Sequence, residues 1–343
     1  MAQKPLKKGE LAEERLRQYF LSLGYFVVRS INADYKGFDV TDVDLFLYSR
    51  PSPISRERTN VDVKMKQRPQ ALERVFWTKG LQAVLGLEKC IVATTDKRTH
   101  VAEFGAQNDV LVLDGNFMAK LDSTERYNEE RLTEEEFLEL IEHFSIGELG
   151  GAWKRFFEQS KSNLLDKLNF DGVNLLLNNI KKLLEECSYD YAKDTSYRLL
   201  YIYVSYFLVT LDYSIKDYSY KSHEERKKTI SEGIRFGELG KKKSEDIVNM
   251  SSALMASFMR GQDYDIDAIK NEVYSQLAGI PAEGLAEVLG STKMMHSLLP
   301  MAIELEKVAY KRETLKPAEL ATDVQSVLGL LCDTFNFDRK KVF

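Results

Sequence analysis

The chain has 343 residues, of which 44% are hydrophobic, a length and composition that favour about two folded domains and exclude a disordered protein. Its net charge of -5 is uneven, because residues 1–122 hold 19 Lys and Arg against 16 Asp and Glu, whereas residues 123–343 hold 29 against 37. An acidic balance argues against nucleic acid for the second part, and a surface for a phosphate backbone is expected in the first.

The first predicted element is a helix at about residues 6–23, where apolar residues recur at helical spacing and Gly24 ends the pattern. Glu13 is predicted to lie along the core-facing side of this helix, and Glu14 to face outward. An inward carboxylate needs a lysine, a backbone donor or a metal ion as its partner. Glu13 is therefore a candidate site residue.

Two later strands alternate acidic or basic residues with apolar ones. After a short strand at residues 25–29, residues 40–48 are predicted to carry Asp44 on one face, and residues 60–66 to carry Asp62 and Lys64. If the two strands pair through the turn at residues 51–53, Asp44 lies beside Asp62. Adjacent carboxylates repel each other unless a cation lies between them. An isolated Asp-x-Lys most often lies on the solvent-exposed face of a sheet. The neighbouring elements therefore decide whether this pair is part of a functional site.

The next elements predict a mixed sheet. Pro69 can open a helix that continues to Leu87, and residues 89–95 and 110–113 are strands on either side of a short helix at 99–108. A strand-helix-strand crossover implies a parallel pair. The order is αβββαβαβ, an α/β domain whose mixed sheet has helices on its faces.

From Thr133 onward the pattern is all-helical, beginning with a capping box formed by Thr133 and Glu136. The predicted domains are residues 1–122 and an all-α domain at 123–343, with the boundary in the charged stretch at 122–131. The tyrosine-rich stretch at 189–220 is more typical of helix packing than of a base-stacking surface.

The order of Glu13, Asp44, Asp62 and Lys64 on these elements resembles the PD-(D/E)xK nuclease superfamily, whose core is αβββαβ. The sequences Lys-Gly-Glu-Leu-Ala-Glu-Glu-Arg at 8–15 and Gly-Tyr-Phe-Val-Val-Arg-Ser at 24–30 are similar to archaeal Holliday-junction resolvases, and the segment at 93–115 is similar to Mrr-type restriction endonucleases. The match covers residues 6–121. Val43 stands where the family name has proline, and the acid before the lysine is Asp rather than the commoner Glu.

The resemblance implies a restriction-endonuclease-like fold and a Mg²⁺-dependent DNA endonuclease, in restriction, defence or junction repair, with Mn²⁺ as a substitute. It implies Asp44 and Asp62 as metal ligands, with Glu13 holding a metal-bound water or a second ion. Lys64 would orient or help to deprotonate the attacking water. The basic residues expected to contact DNA are Lys8, Arg29 and Lys66.

Two alternatives stay open. A catalytically silent nuclease fold that binds nucleic acid or protein is disfavoured by the retained acids, and a ribonuclease effector is not separated from a DNA enzyme by any feature of the sequence. The helical part is expected to serve homodimerisation, target choice or docking of a protein partner. Three scattered cysteines, the lack of a signal-peptide pattern and the lack of a long apolar stretch favour a reducing, cytoplasmic location without structural zinc or membrane contact.

Overall fold

The first part of the chain is a five-stranded mixed sheet with the strand order β1-β2-β3-β4-β5. The computed structural model describes residues 6–35, 38–67, 70–124, 130–144, 152–189, 193–258 and 265–343. β1, β2 and β3 form an antiparallel meander, and β4 and β5 continue the sheet in parallel with β3. The strands are β1 (Phe26–Tyr35), β2 (Phe38–Ser52), β3 (Ser55–Lys64), β4 (Lys89–Thr94) and β5 (Leu111–Leu113). The predicted mixed sheet is confirmed, with a longer β2–β3 hairpin than predicted.

Helices cover both faces of this sheet. α1 (Lys8–Ser22) and α4 (Gly115–Thr124) pack against the face that carries Leu45 and Val61, whereas α2 (Ala71–Leu85) and α3 (Thr99–Gln107) pack against the opposite face of β4 and β5. The predicted opening residue of α2, Pro69, lies outside the described residues. Because side chains alternate along a strand, Asp62 points to the α2 side of the sheet.

The second part of the chain is helical, as predicted, and α8 lies at its centre. The capping box of Thr133 and Glu136 is confirmed. Within the tyrosine-rich stretch, four tyrosines of α8 are buried in helix packing, whereas three others are exposed; the buried ones are Tyr197, Tyr201, Tyr203 and Tyr206, and the exposed ones are Tyr189, Tyr218 and Tyr220. No helix among the described residues has the length and apolar character needed to cross a membrane. The helices are α5 (Glu134–Glu142), α6 (Trp153–Asp166), α7 (Phe170–Cys187), α8 (Lys193–Ser214), α9 (His223–Phe236), α10 (Gly240–Phe258), α11 (Ile266–Ala278), α12 (Ala282–Leu289), α13 (Thr292–Ala309), α14 (Thr322–Thr334) and α15 (Arg339–Val342).

The sheet and the helical region share one hydrophobic core. The ring of Phe26 on β1 meets Tyr206 of α8 edge-on, with 6.1 Å between the ring centroids. The Tyr48 hydroxyl of β2 donates to Asp212 of α8 at 2.5 Å, and both residues are fully buried. The last strand, β5, ends at Leu113, and α4, which the sequence did not predict, lies between it and the predicted boundary at residues 122–131, of which residues 125–129 lie outside the described residues.

A buried network of charges also joins α1 to the helical region. Arg17 of α1 is 1% exposed and donates to Glu306 at 2.7 Å and to Glu134 at 3.1 Å. Glu134 also accepts hydrogen bonds from Lys161 and from the Tyr310 hydroxyl, both at 2.7 Å. A buried charge that loses its partner is strongly destabilising. The position of α1 therefore depends on helices far along the chain.

Candidate active site

Two of the predicted site residues meet where β2 and β3 diverge. The last paired residues at this end of the hairpin are Leu45 and Val61, so the register places Asp44 opposite Asp62. Beyond that pair, Asp44 Oδ2 accepts a hydrogen bond from the Val63 amide at 2.6 Å. The side chain thus replaces the strand pairing, and the two carboxylates occupy neighbouring positions at the open end of the hairpin.

Asp44 is held in an unfavourable electrostatic environment. Burial raises the pKa of Asp44 to about 7, and the negative charges of Glu13 and Asp62 add to the rise. The Val63 amide and the positive charge of Lys64 act in the opposite direction. Perturbed carboxylates of this kind concentrate at functional sites, because a folded protein gains no stability from them.

Asp62 is paired with an arginine that the sequence analysis missed. Arg74 of α2 donates from Nε to Asp62 Oδ2 at 2.8 Å and from a second nitrogen to Oδ1. Asp62 is 8% exposed, so this bidentate pair lies mostly out of water. One feature of the sequence could have indicated Arg74: the helical spacing of Ala71, Val75 and Thr78, the buried residues of α2, shows which side of this helix faces the sheet.

The prediction for the two glutamates of α1 is wrong for Glu14, because both side chains lie largely inside the protein. Glu14, expected to face outward, is 1% exposed, whereas the side chain of Glu13 is 17% exposed. Both accept hydrogen bonds from Arg29, at 2.8 Å for Glu13 and 2.9 Å for Glu14. Burial raises the pKa of Glu13 above its ordinary value, although the charge of Arg29 opposes the rise. Glu13 acts on Asp44 through its charge, from the edge of the site.

The predicted DNA contact of Arg29 is corrected by its position. Arg29 is 1% exposed, and its guanidinium is bonded to Glu13, Glu14 and Glu135. A phosphate cannot reach this group in the arrangement observed, because three carboxylates surround it inside the protein. Arg29 orients Glu13 instead.

The predicted lysines lie closer to solvent. Lys64 ends β3, is half-buried and contributes positive charge at Asp44. Lys66, two residues later, and Lys8, at the start of α1, are exposed. A phosphate can approach exposed ammonium groups without displacing a protein partner from the interior, so Lys8 and Lys66 stay predicted contacts.

A divalent metal ion would depend on the two aspartates. Among the residues that the structure describes, no three His, Cys, Asp or Glu side chains are grouped closely enough to hold a metal ion. Mg²⁺ is commonly bound by one or two carboxylates, together with water and the phosphates of a substrate. Asp44 and Asp62 fit that donor set, provided that Asp62 exchanges Arg74 for the cation. Glu13 does not fit as a third ligand while it is bonded to Arg29.

Comparison of the chain with protein-family models, curated proteins and solved structures finds no match. The fold is therefore described by its own elements, a five-stranded mixed sheet followed by a helical region. What the chain does has to be inferred from the cluster formed by Asp44, Asp62, Lys64 and Arg74.

Proposed function

We propose that the chain is a Mg²⁺-dependent DNA endonuclease of the PD-(D/E)xK type, with a restriction-endonuclease-like first part. The observation that carries the proposal is the meeting of Asp44 and Asp62 at the open end of the β2–β3 hairpin, with Lys64 beside them. Phosphodiester hydrolysis needs a nucleophilic water and relief of the negative charge on the phosphate. Two acids and a lysine at one end of the hairpin are suited to both tasks.

Asp44 and Asp62 would hold the metal ion, which when bound supplies positive charge to the phosphate and acidifies a water. Lys64, two residues from Asp62 on the same strand, orients that water and offsets charge on the phosphate. Arg74 holds Asp62 in place in the free protein. A phosphate has the same bidentate acceptor geometry as a carboxylate, so Arg74 can transfer from Asp62 to the substrate.

A catalytically silent fold gives no reason for this arrangement. Burial and two neighbouring acids raise the pKa of Asp44 to about 7, so its carboxylate destabilises the folded protein at neutral pH. A chain without catalytic function could carry asparagine at this position, which keeps an acceptor for the Val63 amide and avoids the buried charge. The destabilising charge of Asp44 therefore favours a catalytic role for this residue.

The helical region would hold α1 in place and provide a surface for a second copy of the chain. α10 has no buried residue and carries a stripe of exposed apolar side chains: Ile247, Met250, Leu254 and Phe258. Lysines occupy residues 241–243 at one end of this helix, and Asp265 and Asp267 lie at the start of α11, which follows its other end. Two such helices packed antiparallel would bury both stripes and bring basic and acidic ends together.

The test is cleavage of supercoiled plasmid and of matched linear, branched and single-stranded DNA and RNA, with Mg²⁺, Mn²⁺ or EDTA. Asp62→Asn and Lys64→Ala should each lower the cleavage rate by at least about 10²–10³-fold, and the double variant should be hardly worse than either, because the residues act as one unit. Asp42→Asn is the matched control, since Asp42 is exposed on the same strand as Asp44. Wild-type cleavage by a folded Asp62→Asn variant would refute the assignment.

A further inference from the structure

Trp77 of α2 is an exposed aromatic side chain beside the candidate active site. It is 48% exposed, and the guanidinium carbon of Arg74 lies 5.6 Å from the centroid of its indole ring. Arg74 is the residue that is bonded to Asp62, so one side chain connects the indole to the cluster of acids. The other tryptophan of the chain, Trp153, is fully buried. An indole in this position offers a flat apolar face to whatever occupies the site.

α2 carries a second exposed aromatic side chain, but on a different flank. Residues three apart on a helix are neighbours, which places Arg74 and Trp77 on the flank near Asp62. Phe76 is 66% exposed and lies on the other flank, where its ring meets Phe104 of α3 edge-on with 5.3 Å between centroids. Phe76 thus has a protein partner for its ring, and its side chain points away from the acids.

We propose that Trp77 stacks on an unpaired base next to the phosphate that is cleaved, so that the preferred DNA is single-stranded, frayed or branched at the cut. This inference rests on the proposed nuclease function of the same site. Cationic groups that follow the phosphates and aromatic side chains that stack on bases are the combination by which proteins bind single strands. Lys64, Lys66 and Arg74 supply the cations, and Trp77 supplies the aromatic face.

The preference for an unpaired base follows from the geometry of stacking. In an intact duplex each base is covered on both faces by its neighbours, so an indole can reach a face only where a base is displaced. Stacking on an aromatic side chain changes affinity by roughly 5- to 150-fold per base, so a loss confined to single strands is measurable.

The experiment uses the full chain in EDTA, which allows binding without cleavage, and follows tryptophan emission during titration with oligo(dT) and with a hairpin duplex. Oligo(dT) should quench the part of the emission that comes from Trp77, because Trp153 is shielded, and the duplex should quench little. Trp77→Phe should abolish quenching while keeping most of the affinity. Trp77→Ala should weaken oligo(dT) binding roughly 5- to 150-fold and leave duplex binding unchanged. Phe76→Ala is the matched control and should bind both as the wild type does.

Quenching that is absent at saturating oligo(dT), or an equal loss of single-strand and duplex binding in Trp77→Ala, would overturn the stacking role. Plasmid cleavage by the same preparation in Mg²⁺ tests the nuclease function separately. Cleavage without quenching removes only the proposal for Trp77, whereas quenching without cleavage removes the nuclease proposal on which it rests. A parallel titration with oligo(U) shows whether the base is taken from DNA or also from RNA.

Discussion

Replacing Asp44 by asparagine should make the protein more stable while it removes the proposed nuclease activity. Burial and the neighbouring acids raise the pKa of Asp44 to about 7 from an ordinary value of 3.8. Asparagine has nearly the same shape, and its side-chain oxygen can still accept the hydrogen bond from the Val63 amide. The substitution therefore removes an unfavourable charge and leaves the packing in place.

The size of the gain follows from the two pKa values of Asp44. Below about pH 4 the carboxyl group is neutral in the folded and the unfolded chain, so it does not change the free energy of unfolding. Between about pH 4 and pH 7 only the unfolded chain loses the proton, so stability falls as the pH rises. Above pH 7 the full cost is present, and a gap from 3.8 to about 7 corresponds to at most about 4 kcal/mol. Because the side chain retains some access to water, we expect about half, or roughly 2 kcal/mol.

Urea unfolding in EDTA measures this difference. Asp44→Asn should exceed the wild type by roughly 2 kcal/mol at pH 8, and the gain should shrink as the pH is lowered to 5. Mg²⁺ should narrow the gap at pH 8, because a cation bound between the aspartates stabilises the wild type more than the variant. Asp62→Asn is the control, since it loses its pair with Arg74 and should not be stabilised. A variant no more stable than the wild type at pH 8 would refute the reasoning.

Two further predictions concern the helical region. Arg17→Ala leaves Glu134 and Glu306 buried without this cation, so it should lower the free energy of unfolding by about 3–5 kcal/mol in thermal or urea unfolding. Lys66→Ala, at an exposed residue, is the control and should change the free energy of unfolding little. A loss below about 1 kcal/mol in Arg17→Ala would contradict the role of the network. Leu254→Glu puts a charge into the exposed apolar stripe of α10, so in analytical ultracentrifugation the wild type should sediment as a dimer and the variant as a monomer. A wild type that sediments as a monomer would disprove self-association through α10.

The sequence was sufficient to predict the meeting of Asp44 and Asp62, because strands alternate with period two and a hairpin fixes its own register. The sequence was not sufficient to predict the pairing of Arg74 with Asp62, because Arg74 lies on the following helix and has no periodic relation to the strand. Glu14 was assigned to the outer face because adjacent residues of a helix differ by only about 100°. A small error in the phase of the apolar stripe is therefore enough to place a buried residue on the exposed side.

The sequence indicates where the sheet ends, but it does not indicate that the two parts of the chain depend on each other. A change from mixed to helical periodicity marks the end of the sheet within a short stretch of sequence. The pairs of Arg17 with Glu306 and of Tyr48 with Asp212 join residues far apart along the chain, and no local pattern encodes them. The predicted division into domains thus describes secondary structure, whereas the core extends across both.

The spread of these partners along the chain has a consequence for the order of assembly during synthesis. Glu134 follows Arg17 by 117 residues and Glu306 follows it by 289, so the last of the carboxylates that Arg17 contacts is made only when most of the protein has been synthesised. α1 also carries Glu13, at the edge of the candidate active site. A product of interrupted translation that ends before Glu306 would therefore contain every proposed site residue yet lack one of the buried counter-charges of Arg17.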